Sequence, residues 1–275
     1  MKGKFLHKYE ERINIFLMIE DPQTSIIQDI AYFNRMIGEL PKASYSEMGK
    51  RQRYKSGLHF PLLNGLMMSD PEDLDASAEW IRSQKEFFGT LPHIVWLVSP
   101  EQREVIGPRL EAEGYHCLGP YTGMCAEFSR PLPRAAKTEV EVIEVTAKDY
   151  GAWIALMGQV FGIDGVNLEA FAHIFRDFGP ERPFCHLLAR YEGKPVGTLS
   201  LFRRGPLCNA SNGAVLPEAR KLGAGRALGR AFIELARSEG YSQGTTALME
   251  SALARGLCGK FGARPVSELY PYFCV

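Results

Sequence analysis

The sequence predicts an α+β fold in two consecutive domains, each a mixed, mostly antiparallel sheet flanked by helices, and three observations carry that expectation. After residue 137 the hydrophobic periodicities run β-α-α-β-β-β-α-β-α-β, which mixes helices with hairpin connections instead of the repeated βαβ units of a doubly wound sheet. A basic, proline-containing stretch, Arg130-Pro131-Leu132-Pro133-Arg134-Ala135-Ala136-Lys137, separates two halves of similar length, as an interdomain linker does. The chain has 275 residues, 45% hydrophobic and 23% charged, so it exceeds the usual single-domain size and has a composition able to bury a sizeable core. Domains are expected at 1–136 and 137–275.

In the first half, Ile26, Ile27, Ile30, Phe33, Ile37 and Leu40 recur at helical spacing over Thr24 to Leu40, which predicts a buried amphipathic helix. Ala43 to Leu58 is polar and only weakly alternating, and Leu62 to Met68 reads as a strand. Asp70-Pro71-Glu72-Asp73 places a proline and acids as in a helical first turn, predicting a helix from there to about Phe88. His93 to Val98 is a buried-strand pattern, Ser99-Pro100 opens a helix that ends at Gly114-Tyr115, and Cys117 to Phe128 reads as a strand pair.

In the second half, Val140 to Val145 alternates as a half-buried strand, and helices are expected over Asp149 to Phe161 and Asn167 to Phe178. Phe184 to Tyr191 and Pro195 to Phe202 flank Glu192-Gly193-Lys194 and predict a hairpin. Cys208 to Leu216 is the next antiparallel strand, followed by a helix over Ala227 to Ser238. A strand over Gly244 to Met249, a helix over Ser251 to Phe261 and one or two closing strands from Pro265 to Val275 complete the pattern.

Charge and cysteine usage exclude several function classes. Lysine plus arginine equals aspartate plus glutamate at 32 each, so no global positive field argues for nucleic acid or an anionic membrane. Cys117, Cys125, Cys185, Cys208, Cys258 and Cys274 form no C-x-x-C pair and no cluster with histidine. Reduced thiols are expected, with no metal site and no disulfide framework. Glu10, Glu11 and Arg12 precede the short apolar patch Ile13 to Ile19, which is no signal-peptide pattern, and no run approaches a membrane span. A cytoplasmic location is expected, with monomer and homodimer both open.

The stretch from Val215 to Arg226 runs from a strand through two glycines into a helix. Glycines spaced by one residue let a backbone approach an anion closely, and a helix beginning there adds unpaired N–H groups and its positive dipole end. A phosphate loop of the triphosphatase type needs Gly-Lys-Ser/Thr, but Gly225 is followed by Arg226 and Ala227. A dinucleotide fingerprint needs a third glycine three residues beyond the second, and Gly229 comes one residue too late.

The pattern Arg220-x-x-Gly223-x-Gly225, approached through Val215-x-Pro217 and followed by a helix ending at Gly240-Tyr241, a strand, and Lys260-Phe261-Gly262, resembles the coenzyme A motif of the GNAT acyltransferases over roughly residues 138 to 275. Phe60 to Gly65, Leu91 to Trp96, Leu110-x-x-x-Gly114-Tyr115 and Gly123-Met124 resemble the degenerate first half of tandem GNAT proteins. The resemblance implies that acetyl-CoA is the cosubstrate. Backbone N–H groups from Leu222 through Gly223, Ala224, Gly225 and Arg226 would face its pyrophosphate, with Arg220 closing over it and Lys221 adding charge. Val215 and Leu216 would pair with the pantetheine arm. Where the second half has this cradle, the first has Asp70-Pro71-Glu72-Asp73-Leu74-Asp75, whose four acids would repel a pyrophosphate, so only the second half is expected to bind the coenzyme.

The implied activity is transfer of an acyl group, in the first instance acetyl, to an amine of a small molecule or peptide by direct attack; the rival reading is a non-catalytic acyl-CoA-binding or scaffold protein. The family often donates the leaving-group proton from a tyrosine four residues before a glycine in the last helix, and counting back from Gly262 gives Cys258. Cys258 reads either as that proton donor or as a small buried residue; Tyr270 and Tyr272 would substitute only if the last strands bring them in. Glu250, after the strand that follows the cradle helix, reads either as the general base or as a helix-capping acid, with water as the other candidate base. His173 and His186 have no partner at useful spacing and read as structural.

Overall fold

The computed structural model describes residues 21–134, 138–249 and 252–275. The apolar patch at 13–19, the last three residues of the expected linker, and Glu250 and Ser251 lie outside them. The first helix, α1 (Pro22–Gly38), begins where Pro22 follows Asp21, whose carboxylate accepts from the Thr24 N–H at 3.0 Å, a side-chain N-cap with proline at the first helical position. β1 (Ser44–Met48) and β2 (Arg51–Lys55) form a hairpin over the segment whose alternation is too weak to read as strands. A 3-10 turn at Pro61–Leu63 leads into β3 (Asn64–Met68). α2 (Ala78–Phe88), β4 (His93–Leu97), α3 (Pro100–Ala112), β5 (His116–Cys117) and β6 (Tyr121–Glu127) complete the first half.

The expected helix start at Asp70 is corrected by the structure: α2 begins at Ala78, capped by the Ser77 hydroxyl, which accepts from the Trp80 N–H at 3.1 Å. The acids before it bond locally and sideways instead. Asp70 accepts from the Glu72 N–H and pairs with Lys50 at 2.8 Å, while Asp73 pairs with Arg51 through two contacts of 2.6 and 2.7 Å. The Asp70 and Asp73 carbonyls accept from the buried Gln102 amide. Short acidic side chains that satisfy nearby backbone donors compete with helix in this way.

The second half follows the expected order: β7 (Glu141–Glu144), α4 (Tyr150–Phe161), α5 (Gly165–Ile174), β8 (Phe184–Tyr191), β9 (Lys194–Arg203), β10 (Cys208–Val215), a 3-10 turn at Pro217–Ala219, α6 (Ala224–Ser238), β11 (Gln243–Met249), α7 (Ala252–Lys260) and β12 (Arg264–Cys274). The β8–β9 hairpin turns through Glu192 and Gly193, both at positive φ (49° and 75°), as a tight two-residue hairpin requires.

All strands on the main path join one sheet in the order β1-β2-β3-β4-β12-β6-β11-β10-β9-β8-β7, with β5 pairing beside β12. The halves exchange strands within it. β6, from before the linker, pairs with β11 from Gln243↔Glu127 to Met249↔Tyr121, and β12, from the end of the chain, pairs with β4 from Tyr270↔Leu97 to Cys274↔His93. The expected strand pair within Cys117 to Phe128 does not form, because β5 and β6 both pair with β12. The closing segment is one strand, with a register shift between Pro265 and Ser267 while it pairs with β6, before it passes to β4 at Tyr270.

α1 lies across the junction. Phe33 stacks on Phe175 of the second half at 5.8 Å and Tyr32 meets Phe202 at 5.4 Å, while Ile26 and Ile27 are buried in the core shared by both halves. A smaller core, with Leu66, Ile81, Val95 and Tyr272, lies under α2 and α3. The linker is held too: Arg237 donates to the Phe128 and Arg130 carbonyls and Arg230 to the Pro133 carbonyl at 3.1 Å.

Because β11 pairs with β6, and β12 with both β6 and β4, residues 137–275 expressed alone should leave one edge of β11 bare and β12 without its sheet partners. The expected outcome is an aggregating or non-cooperatively melting fragment; a soluble fragment with a sharp thermal transition would contradict it.

Candidate coenzyme site

Strand pairing positions the site. β10 and β11 run parallel but pair only at Cys208↔Gly244 and Asn209↔Thr245, reinforced by the Asn209 amide donating to Thr245 Oγ1 at 3.2 Å and Thr246 Oγ1 donating to the Ala210 carbonyl at 2.7 Å. Beyond that the strands part, so β10 from Ser211 to Val215 presents an edge not paired to β11. The equivalent parallel pair in the first half, β3 and β4, stays paired to Met68↔Leu97, where β3 and β4 end. The other edge of β10 is held by β9, with a bulge between Ser211 and Ala214 and Val215 opposite Gly197. The Leu216 N–H donates to the Val196 carbonyl at 2.9 Å and its side chain is buried.

After the 3-10 turn the chain reaches the glycines. Lys221 stands at φ 75°, and Gly223, the residue before α6, at φ 95°, with no side-chain cap on the helix. The left-handed backbone at Gly223 disfavours any side chain. A Cβ at Gly225 would lie 3.0 Å from Leu257 of α7, so the absence of a side chain lets the two helices meet there. The first N–H groups of α6, from Ala224 through Arg226, have no intrahelical acceptor. The Leu222 N–H donates to Ala219 at 3.3 Å and its carbonyl accepts from Thr138 Oγ1 at 2.6 Å, which ties the loop to the strand side. Arg220 and Lys221 are exposed and Arg226 is partly exposed. Open N–H groups, a helix dipole and three cations suit this end of α6 to a pyrophosphate. Gly229, too late for a dinucleotide fingerprint, has a packing role: a Cβ there would lie 2.5 Å from the Phe261 ring.

The expected catalytic residues separate. Glu250 lies outside the described residues, just past Met249, which is 59% exposed at the end of β11. Cys258 is half-buried on α7, one residue from the Leu257 that meets Gly225, and burial raises its thiol pKa. Tyr270 and Tyr272 are not brought to the split: they pair opposite Leu97 and Val95 and pack in the smaller core, with the Tyr270 hydroxyl donating to Glu268. His186 is fully buried, bonded to the Phe175 carbonyl at 3.0 Å and Ser200 Oγ at 2.8 Å. The bulge in β10 escaped sequence reading; Asn212-Gly213 inside a strand pattern was its signal, since Asn212 takes φ 54°.

The first half contrasts at each point. The start of α2 is closed by its own Ser77 hydroxyl, and the preceding loop carries Asp70 and Asp73, both held below the usual carboxylate range by their bonds to Lys50 and Arg51. A cleft of about 980 Å³ does lie in this region, lined by Tyr32, Gln52, Asp70, Thr122, Arg204 and Glu268 among others. Its acidic loop offers a pyrophosphate no cradle.

Burial lowers the His186 pKa from 6.5 to about 4. The unfolded chain therefore binds the extra proton, and this group's contribution to stability is complete above about pH 6.5 and lost as pH falls toward 4, on the order of 3 kcal/mol in all. Denaturation of wild type and His186→Gln across that window should show a shallower pH slope in the variant; equal slopes would contradict the assignment.

The comparisons with known proteins meet this geometry. The sequence model of the Acetyltransferase (GNAT) family matches residues 154–263. No curated protein matches the chain. Among solved structures, a GCN5-related N-acetyltransferase from Kribbella flavida is similar at a TM-score of 0.60 and 15% identity, covering 90% of this chain and 94% of its own. A functionally unknown conserved protein from Staphylococcus epidermidis is similar at 0.63 and 13%, covering 83% and 92%. A tandem GNAT protein from the clavulanic acid biosynthesis pathway is similar at 0.56 and 13%, covering 85% and 83%. At these identities the structural likeness speaks for the fold, and the sequence match places the family in the half that carries the open helix terminus. Residues 154–263 match the GNAT acetyltransferase family, and the chain as a whole has the fold of the GNAT structures it resembles.

Proposed function

We propose that the protein is an acyl-CoA-dependent N-acyltransferase that moves an acetyl group from acetyl-CoA to an amine, with a single coenzyme site in its second half. The observation that carries this reading is the uncapped, glycine-opened start of α6 beside the split between β10 and β11. The N–H groups from Gly223 through Arg226 would receive the pyrophosphate, Arg220, Lys221 and Arg226 would balance its charge, and Leu222 and Ala224 would shape the loop. The edge of β10 from Ser211 to Val215, not paired to β11, suits an extended pantetheine arm, whereas the Leu216 N–H donates to the Val196 carbonyl and its carbonyl accepts from the Ala219 N–H, so Leu216 is held within the chain.

The thioester supplies the activated acyl group; the chain must align a neutral amine, polarise the carbonyl and protonate the leaving thiolate. The bulge at the root of the split frees backbone donors from the ladder, which suits them to the carbonyl. A Cys258 thiol whose pKa is raised by burial stays protonated at neutral pH and so keeps a proton to donate. Glu250 is the proposed base toward the amine. The acceptor is an amine on a small molecule or a peptide. A non-catalytic acyl-CoA-binding role is favoured by one observation, a half-buried cysteine standing where a tyrosine hydroxyl is customary.

Coenzyme A at about 100 times its Kd should stabilise the fold by about 2.7 kcal/mol, a rise of a few degrees in Tm. Arg220→Glu and Gly223→Glu should each abolish the rise relative to their own apo melting; no rise with wild type would reject the coenzyme reading. Acetyl transfer across an amine panel separates enzyme from scaffold. Robust transfer that falls about a hundredfold or more in Cys258→Ala, within the range for loss of a general acid, supports the assigned roles. Binding without transfer to any amine would favour the scaffold.

A further inference from the structure

His186 is fully buried and stacks on Trp153 at 3.9 Å, yet its hydrogen bonds lead to the coenzyme split. The Phe175 carbonyl can only accept, so Nε2, 3.0 Å away, donates to it. The neutral ring then accepts at Nδ1 from the Ser200 hydroxyl at 2.8 Å. With that proton committed, Ser200 Oγ accepts from the Asn212 amide at 3.2 Å. Every proton in the chain from Phe175 to Asn212 is thereby assigned.

The chain ends at a strained position. Asn212 takes φ 54° inside the bulge of β10, and the bulge begins at Ser211, two residues past the last pair between β10 and β11. The Ser211 hydroxyl is buried there without a hydrogen-bond partner among the described residues. A bulge leaves backbone groups out of the ladder and re-aims the strand, and burying a histidine and a serine to hold it costs desolvation that an apolar pair would avoid. Asparagine tolerates the left-handed region but does not by itself fix the bulge.

We propose that His186 and Ser200 are positioning residues that lock Asn212, and through it the β10 bulge, so that the unpaired N–H groups of the bulge are preset for the thioester carbonyl of an acyl-CoA. This rests on the coenzyme reading above and extends it to residues that lie beneath the strand, away from the cradle. The relay separates two tasks: the start of α6 holds the coenzyme, and the locked bulge distinguishes an acylated coenzyme from a free one.

Calorimetric titration of wild type, Ser200→Ala and Asn212→Gly with CoA and with acetyl-CoA tests it. Glycine at 212 accepts the same backbone conformation, so that variant removes the tether without adding strain. Wild type should bind acetyl-CoA more tightly than CoA. Both variants should keep CoA affinity within about twofold and lose about fivefold of the acetyl preference, the scale of one neutral hydrogen bond. Variants that keep the wild-type preference, whatever happens to their Tm, would overturn the proposal, as would a wild type that binds both ligands equally. A wild type that binds neither overturns the coenzyme reading itself, a result distinct from both.

Discussion

The hydrogen bonds that β10 and β11 do not make are the feature on which the rest of the site depends. Buried backbone donors and acceptors are nearly always paired, and here two parallel strands pair at two positions and then separate. The edge of β10 from Ser211 to Val215 is left for water or for an extended ligand. Each neighbouring feature follows from holding that edge open: the bulge steers β10 away, β6 from the first half takes the far side of β11, and the glycine loop turns the chain back into α6.

The same layout appears twice in the chain with opposite chemistry. In the first half β3 and β4 remain paired to their ends, Ser77 caps α2, and the intervening loop is acidic and bound to Lys50 and Arg51. In the second half the strands split, Gly223 leaves the helix start open, and the loop is cationic. The first half instead supplies structure: β6 enters the sheet of the second half, and α1 brings Tyr32 and Phe33 against Phe202 and Phe175. Exchange of β6 and β12 makes each half part of the other's core.

Much of this was legible in the sequence because it rests on local rules. The order of elements after the linker, the hairpin at Glu192-Gly193 and the glycine turn before α6 follow from periodicity and from backbone conformations that glycine serves. Three things were not legible. The acids at 70–73 look like a helical first turn, and only the basic side chains of β2 and its turn, with Gln102, show why they are a loop. The exchange of β6 and β12 is long-range pairing that no local pattern encodes. His186 has no partner nearby in sequence, because Ser200 reaches it across the sheet and Asn212 bonds to Ser200 in turn, with no spacing signal to reveal them.

The central claim, one working coenzyme site in a duplicated fold, is tested most directly by a crystal structure of the full chain grown with CoA. The account predicts one CoA per chain, its pyrophosphate within hydrogen-bond distance of the N–H groups between Gly223 and Arg226, its pantetheine arm along β10, and no CoA beside the loop at Asp70 to Asp73. A pyrophosphate seated in the first half, or a CoA that leaves the edge of β10 bare, would contradict it.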